Sequence, residues 1–306
     1  MNDPFAEQAQ SGAEATCDGG RRRLELFNQH RSLLFSIAYR MLGSVADAED
    51  MLQDTFIRWQ RTNDEEIRSP RSFLVTIVSR LCLNQLESAR VRREEYYGQW
   101  LPEPLLTLAE GNASEIHESL SMSFLVLMER LTPKERAVFL LREVFDYDYP
   151  ELAQILGYAE SNCRQILRRA RQHIARNRPR FDTSLEQRER LMKEFIHATE
   201  GGDLQGLLAM LAQDVVLHSD GGGKGPALPR QILGAAKVAR AMVGGARTLV
   251  PKTLAQRLTQ INGELGVVSY LETIPYSVLT LDIVQGRIRN IYIISNPEKL
   301  AHLPHL

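Results

Sequence analysis

Apolar residues recur every three or four positions from Arg22 to about Ala175, a spacing that predicts helices. Ser44 is suited to cap a helix predicted over Val45–Arg61. Ser69–Pro70 has the composition of a cap followed by proline at the first helical position. The helix that follows runs on to the basic stretch 90–93. The N-terminal half is therefore predicted to be all-α.

The helical spacing fails between Glu94 and Asn112, where prolines and glycines interrupt the chain. We therefore predict a linker over residues 98–113. Helical spacing resumes near Ser114 and continues to Leu131, and Thr132–Pro133 begins a further helix.

The pattern changes beyond Pro179. Two helical stretches, Leu185–Glu200 and Asp203–Leu211, precede short runs rich in Val, Ile and Tyr. These runs predict strands over 215–218, 253–261, 266–273, 277–284 and 288–294. Helices followed by antiparallel strands predict an α+β domain. The predicted organisation is a polar, disordered tail over 1–20, all-α domains over 21–97 and 114–180 on either side of the linker, and an α+β domain over 186–306.

Composition is that of a soluble globular protein: 306 residues, 43% hydrophobic and 25% charged, with a net charge of −1. The sequence has neither a signal peptide nor an apolar run long enough to span a membrane, so we expect a cytoplasmic protein. Cys17, Cys82 and Cys163 form no CxxC pair, so the sequence predicts no metal site, disulfide or cofactor. Charge is segregated, with seven arginines against one glutamate over Glu160–Arg180, as expected of a segment that meets phosphate.

The basic segment has the features of a helix-turn-helix. Pro150–Gly157 predicts a short helix with its stop, and a second helix begins near Glu160. At about 100° per residue, one face of that second helix is apolar. This apolar face comprises Cys163, Ile166, Leu167, Ala170 and Ile174. The opposite face carries residue types that read base edges in the major groove: Ser161, Asn162, Arg164, Gln165, Arg168, Arg169 and Gln172. Alternatively, the arginines form a solvated helix end.

Two segments resemble extracytoplasmic-function (ECF) RNA polymerase sigma factors. They are Asp47–Trp59 and Tyr149–Ile174, and the resemblance spans roughly Arg21–Pro179. It implies that Asp50, Gln53 and Asp54 contact core RNA polymerase, although an acidic helix face is also simply solvated. It further implies that the helix-turn-helix binds the −35 element of promoter DNA. Melting and reading of the −10 element would fall to Arg80, Asn84, Arg90, Arg92 and Arg93. As an aromatic wedge in that helix, only Phe73 is well placed, where related proteins often have several.

Three further motifs are similar to signatures of sigma factors that carry a fused SnoaL-like domain, a cone-shaped α+β fold. They occur in the expected order and comprise Trp100, Leu101, Pro102, Glu103 and Pro104; Asp220, Gly221, Gly222, Gly223 and Lys224; and Asn296, Pro297, Glu298, Lys299 and Leu300. Glu298 stands where Asp is commoner. The resemblance implies a monomeric, non-enzymatic sigma factor regulated in cis by this extension. We expect the linker to dock on the Gly221–Lys224 loop.

Other functions stay open for the extension and for the whole chain. The extension could be a small-molecule sensor or vestigial enzyme, with Phe195, Val216, Tyr270 and Tyr292 lining its pocket. His218 and Asp220 would then be an acid/base pair, or they only end a strand and fix a turn. The glycine loop is no phosphate loop, because its spacing requires glycine at His218. The whole chain could also be a repressor that binds DNA without polymerase.

Overall fold

The computed structural model describes residues 4–62, 67, 69–94, 96–107, 120–174 and 184–306, with side chains except at 4–19 and 89–94. The chain divides into two compact units. The helical unit comprises the chain up to Leu42 with Ala46–Ser88 and Pro133–Arg169. The sheet unit comprises Gly43–Val45, Ala89–Thr132 and Ala170–Leu306.

Helices of the N-terminal half follow the predicted order. They are α1 Pro4–Leu42, α2 Val45–Arg61, α3 Pro70–Glu94, α4 Met122–Met128, α5 Pro133–Phe139, a π-helical turn Leu140–Val144, α6 Tyr149–Leu156 and α7 Glu160–Ile174. Aromatic pairs join the first three helices. Phe27 lies 4.9 Å from Phe56 and Trp59 lies 5.8 Å from Phe73, measured between ring centroids. Burying these large apolar rings stabilises the packing of α1 and α3 against α2.

Helix α1 begins within the segment predicted to be a tail. The predicted disordered tail covers residues 1–20, whereas α1 begins at Pro4 and its backbone is helical through residues 4–20. Ala, Glu and Gln, which are good helix formers, account for about half of this stretch. Proline is also well tolerated in the first turn of a helix.

The sheet unit begins with α8 Leu185–Gly201 and α9 Leu204–Met210, followed by β1 Leu211–Asp220, β2 Ile232–Leu233 and α10 Ala235–Thr248. It continues with β3 Leu254–Ile261, β4 Glu264–Leu271, β5 Ile274–Val284, β6 Arg287–Ile294 and α11 Pro297–Leu300. The strand order is β2-β1-β6-β5-β4-β3. All neighbours are antiparallel except β1 and β6, which are parallel. The expectation of an antiparallel sheet therefore fails at this one pair.

Both faces of the sheet are covered. On the inner face, Leu217, Leu281 and Ile291 form a core with residues of α8–α10 such as Phe195 and Val238. Alternate strand residues point the other way. On this outer face, a second core joins strand residues Val268, Tyr270, Val278, Tyr292 and Ile294 to Leu101, Met122, Leu300 and Leu303. The linker, α4 and α11 thus cover the outer face. The described part of the linker, residues 98–107, is irregular as predicted.

Candidate functional site

The helix-turn-helix has well-defined ends. Asp148 and Glu151 form a reciprocal capping box at the start of α6, and Gly157 ends the helix in a left-handed conformation with φ 73°. In α7, the predicted apolar stripe is buried throughout. All seven predicted base-reading residues are exposed: Ser161, Asn162, Arg164, Gln165, Arg168, Arg169 and Gln172. The arrangement of the two helix faces is therefore as predicted.

One of these arginines is already oriented. The Arg164 guanidinium carbon lies 4.6 Å from the Tyr149 ring centroid, and its Nη2 is 3.1 Å from Glu160 Oε2. A cation over an aromatic face and an ion pair one helical turn away both hold an exposed side chain in place. The predicted phosphate-binding residues Arg176, Arg178 and Arg180 lie outside the described residues.

On α2, the predicted polymerase-binding residues Asp50, Gln53 and Asp54 are exposed, while Met51, Leu52, Thr55 and Trp59 are buried. Ile57 is 43% exposed on the same helix.

The residues predicted to read the −10 element have different surroundings. Asn84 is exposed. Arg80 donates hydrogen bonds from Nε to the Ile155 carbonyl at 2.8 Å and from Nη2 to the Gln154 carbonyl at 3.0 Å. These carbonyls end α6, where backbone acceptors lack intrahelical partners and a cation is favourable. Side chains of Arg90, Arg92 and Arg93 are outside the described set, and Phe73 packs on Trp59.

In the sheet unit, the three signature motifs converge on Asp220, which is 1% exposed. Its Oδ1 accepts hydrogen bonds from Tyr96 Oη at 2.6 Å and from the Gly222 amide at 3.1 Å. Its Oδ2 accepts from the Leu101 amide at 2.8 Å and from Lys299 Nζ at 2.7 Å. Burial and the neighbouring Asp220 raise the pKa of the Tyr96 hydroxyl, which therefore stays a donor.

Lys299 is the counter-ion and is itself buried. Besides Asp220, its ammonium donates to the Leu101 carbonyl. Its Nζ also lies 4.1 Å from the Trp100 ring centroid and 5.1 Å from that of Tyr96. A buried ion pair is tolerated only when further hydrogen bonds satisfy both charges, as they do here. The linker therefore lies directly on this pair.

Glycine is required in the loop by the close approach of backbone at Gly225 and of a side chain at Gly222. A Cβ at Gly225 would lie 1.9 Å from the Ser295 carbonyl oxygen, and one at Gly222 would lie 2.3 Å from Asn296 Nδ2. Lys224, by contrast, is exposed and pairs with the equally exposed Glu298. The structure thus places Lys299 against the linker, whereas the sequence predicted that the linker docks on the loop containing Lys224.

Other residues of the signatures tie the linker at both ends. The Glu103 carboxylate accepts hydrogen bonds from Ser44 Oγ at 2.9 Å and from the Val45 amide at 2.6 Å, which caps the start of α2. The Pro104 carbonyl accepts from His302 at 2.7 Å. Of the remaining signature residues, Pro102 lies beside Gly43 and Leu300 is buried with Leu101. Pro297, in contrast, is exposed at the start of α11.

His218 also faces the linker. Its Nδ1 accepts from Gln99 Nε2 at 2.7 Å, its Nε2 lies 3.4 Å from Asn290 Oδ1, and its ring stacks on Tyr292. Burial lowers its pKa, so the imidazole is neutral. His218 and Asp220 therefore bind the linker and the residue before it by hydrogen bonds, and neither lines the inner cavity of the cone.

That inner cavity has a volume of about 390 Å³ and lies between α10 and the sheet. Leu217, Met242, Leu249, Tyr276 and Ile293 are among its lining residues, and no described lining residue is Asp, Glu, His, Lys or Arg. None of the predicted lining residues Phe195, Val216, Tyr270 and Tyr292 lines this inner cavity, although Val216 and Tyr292 line a second pocket on the outer face of the sheet. Val216, Tyr270 and Tyr292 point to the outer face because side chains alternate along a strand, and Phe195 is packed in the inner core.

The part of the chain that the structure describes offers neither a cluster of metal ligands nor a membrane-spanning helix. No group of three His, Cys, Asp or Glu side chains there could hold a metal ion. No helix of the described residues is long and apolar enough to cross a bilayer. Cys82 and Cys163 are both buried as free thiols.

Comparison with known proteins defines the class. The Sigma-70 region 2 family matches residues 26–92, and the Sigma-70 region 4 family matches residues 121–174. The chain is 33% identical over 292 residues to the ECF RNA polymerase sigma factor SigJ of Mycobacterium tuberculosis, covering 91% of this chain and 93% of SigJ. The chain therefore belongs to the ECF sigma factor family, whose members direct transcription by RNA polymerase.

Two more matches extend over nearly the whole chain. The probable ECF sigma factor SigI of M. tuberculosis is 31% identical over 284 residues, covering 90% of this chain and 93% of SigI. The crystal structure of M. tuberculosis SigJ superposes with a TM-score of 0.72 at 29% identity, covering 91% of this chain and 98% of that one. The resemblance thus includes the C-terminal sheet domain.

Proposed function

We propose that this ECF sigma factor is regulated in cis by its C-terminal sheet domain, which acts by holding the linker between the two DNA-binding regions. The observation that carries the proposal is the Asp220–Lys299 pair, because three of its hydrogen bonds and both of its aromatic contacts involve Tyr96, Trp100 and Leu101, which lie in the linker or directly before it. Holding a linker restricts the separations that its flanking regions can adopt.

Roles for the exposed faces follow from their chemistry. The Gln165 and Arg168 face of α7 would read −35 base edges, since amide and guanidinium groups make bidentate contacts with bases. Asp50, Gln53 and Asp54 would bind core polymerase. The −10 role would fall to Asn84 with Arg80, Arg90, Arg92 and Arg93, and Arg80 would first have to leave the α6 carbonyls.

The linker also offers a route from the sheet domain to the polymerase-binding helix. Glu103 caps the start of α2, and the exposed acidic residues begin about one turn further along that helix. A capping side chain stabilises a helix by about 0.5–2 kcal/mol. Release of the linker from Asp220 and Lys299 would therefore change the order of the α2 N-terminus together with the spacing of the DNA-binding regions.

The test is transcription with purified core polymerase and a cognate promoter, comparing full-length variants. Trp100→Ala removes the ring that faces Lys299, and Glu103→Gln weakens the α2 cap. Both should change promoter output several-fold, whereas Lys224→Gln, in an exposed ion pair, should leave it unchanged. Equal output from Trp100→Ala, Glu103→Gln and the wild type, with circular dichroism unchanged, would reject regulation through the linker.

Polymerase dependence separates this proposal from a repressor that binds DNA alone. The near-neutral net charge of −1 supports weak binding by the free protein, because neutralisation of phosphate charge dominates DNA affinity. Mobility shifts with and without core polymerase measure the difference. Tight, sequence-specific binding by the isolated chain would favour the repressor.

Ligand sensing in the inner cavity is a second candidate function for the sheet domain. The observation that favours it is the apolar lining around a volume of about 390 Å³, which is within the usual range for small-molecule sites. Lacking an acid/base pair among its described lining residues, the cavity is suited to holding a ligand rather than to catalysis. Thermal-shift assays with apolar metabolites test this, and Met242→Trp should abolish any response by filling the cavity.

A further inference from the structure

A second, polar pocket lies on the outer face of the sheet, where α4 crosses β1, β5 and β6. Its volume is about 230 Å³, below the roughly 300–1,000 Å³ of sites for drug-sized molecules. All of its lining residues belong to the sheet unit, and none of them lines the inner cavity. The size corresponds to a small metabolite.

The floor of this outer pocket includes a buried carboxylate with an unused oxygen. Asp282 is 5% exposed, and its Oδ2 accepts a hydrogen bond from Asn290 Nδ2 at 2.7 Å. Its Oδ1 has no hydrogen-bond partner. Burying a polar atom without a partner is unfavourable by about 1–3 kcal/mol, so such an atom requires a physical explanation, which a bound donor or cation would supply. Asp282 lines the pocket, and Oδ1 is its carboxylate oxygen without a hydrogen-bond partner.

Surrounding residues hold that carboxylate in one orientation. Asn290 connects Asp282 to His218, whose other ring nitrogen accepts from Gln99 in the linker. Because Gln99 Nε2 is a donor, His218 Nδ1 is the acceptor and Nε2 carries the proton toward Asn290 Oδ1. The chain of bonds therefore turns the Asn290 amide group toward Asp282 Oδ2, and Oδ1 has no hydrogen-bond partner.

The remaining walls of the outer pocket carry mainly positive charge, opposite to that of Asp282. Arg130 and Arg289 both line the pocket, against one further carboxylate, Asp214. Arg289 Nη2 lies 3.6 Å from Asp214 Oδ2, and both side chains are largely exposed, at 46% and 69%. An ion pair this exposed is weak, so an anionic group can compete for Arg289. Apolar wall is supplied by Val126, Val216 and Val284.

We propose that this outer pocket binds an amino acid with an apolar side chain. Its ammonium group would bind Asp282 Oδ1, its carboxylate would bind Arg289 with Arg130, and its side chain would lie against the valines. The assignment rests on charge complementarity at two separate points and on the volume. Neither a purely anionic nor a purely cationic ligand would satisfy both points.

Binding there would also involve the sigma regions. Ser123, Val126 and Arg130 lie on or directly after α4, within the segment that matches Sigma-70 region 4. A bound amino acid would join the start of that segment to the sheet. This consequence, unlike the site itself, rests on the proposed regulation in cis.

Isothermal titration calorimetry of the full chain with L-valine, L-leucine, L-isoleucine, L-methionine and L-phenylalanine tests the site. We expect at least one to bind with a Kd of about 1 mM or tighter. The amide of that amino acid lacks the anion and its N-acetyl derivative lacks the cation. Each should bind about ten- to a hundredfold more weakly, as expected for loss of a charged hydrogen bond.

Two variants and a control locate the binding. Asp282→Asn preserves shape but removes the charge, and Arg289→Gln changes an exposed residue that has little part in folding. Both should weaken binding about tenfold or more, whereas Arg257→Gln, exposed on edge strand β3, should not. No binding by any of the five amino acids, or binding that survives both pocket variants, would overturn the proposal. Binding without a change in transcription would leave the site assigned and reject only its regulatory consequence.

Discussion

The α7 surface and the linker site use charged and polar groups in opposite ways. On α7, arginines and polar side chains are exposed, and several of their donors face solvent. Around Asp220 and Lys299, charged groups are buried and fully hydrogen-bonded within the chain. A surface that keeps its donors in solvent is available to an external partner. A buried charge pair, in contrast, strongly favours one arrangement of the segments that supply its hydrogen bonds.

The largest expected effect concerns the buried Asp220–Lys299 pair. Lys299→Met leaves Asp220 buried without its counter-ion and should lower the free energy of unfolding of the sheet domain by about 3–5 kcal/mol. Urea denaturation followed by circular dichroism measures it. Lys224→Met, in the exposed pair with Glu298, is the matched control and should change stability by less than about 1 kcal/mol. Similar small effects in both variants would contradict the difference drawn between the two lysines.

A pH effect should follow from a second buried acid of the sheet. Burial and the nearby Asp282 raise the pKa of Glu264 from 4.5 to about 8, against the opposing charge of Arg188. The folded chain therefore retains a proton that the unfolded chain has lost, and stability falls as pH rises from 4.5 to about 8.

Glu264→Gln should flatten this dependence, because the amide does not titrate. Thermal melting of both chains across the same pH window measures the difference. A wild-type slope that persists in Glu264→Gln would assign the effect to another group.

The exposed side of the comparison predicts loss of function without loss of stability. Arg168→Ala should reduce −35-dependent transcription by an amount equivalent to about 1–3 kcal/mol, the value of one bidentate base contact. Its melting temperature should be unchanged, since Arg168 is exposed. Arg190→Ala, equally exposed on α8, is the control and should have wild-type output. If both variants lose activity equally, general charge rather than base reading is responsible.

The smallest expected effect concerns a residue intermediate between the two kinds of site. Arg80 is exposed yet donates to two carbonyls at the end of α6. Because water can replace these bonds of an exposed cation, Arg80→Ala should lower the free energy of unfolding by about 0.3–1 kcal/mol. Open-complex formation detected by permanganate footprinting reports its −10 role separately. Reduced stability with normal promoter melting would make Arg80 a structural residue.

Structural features that depend on a local pattern of residues agree with the sequence prediction. The short helix at Pro150, its stop at Gly157 and the two faces of α7 depend on residues within a few positions of one another, and all are as predicted. Features that depend on packing between elements distant in the chain were predicted less accurately. Helix α10 was missed because Gly244–Gly245 is unfavourable in a helix, although Val238 and Val243 pack it onto the sheet.

The distinction between local patterns and long-range packing also applies to the functional sites. Sequence alone determined the class of the protein, the exposed residues of α7 and the three signature motifs, since these depend on residue identity and spacing. Only the tertiary structure decided that Asp220 and Lys299 meet across 79 positions, that Arg80 binds the end of α6, and that His218 faces the linker instead of the cone. A hydrogen bond depends on distances set by the fold of the whole domain, which no local pattern of residues specifies.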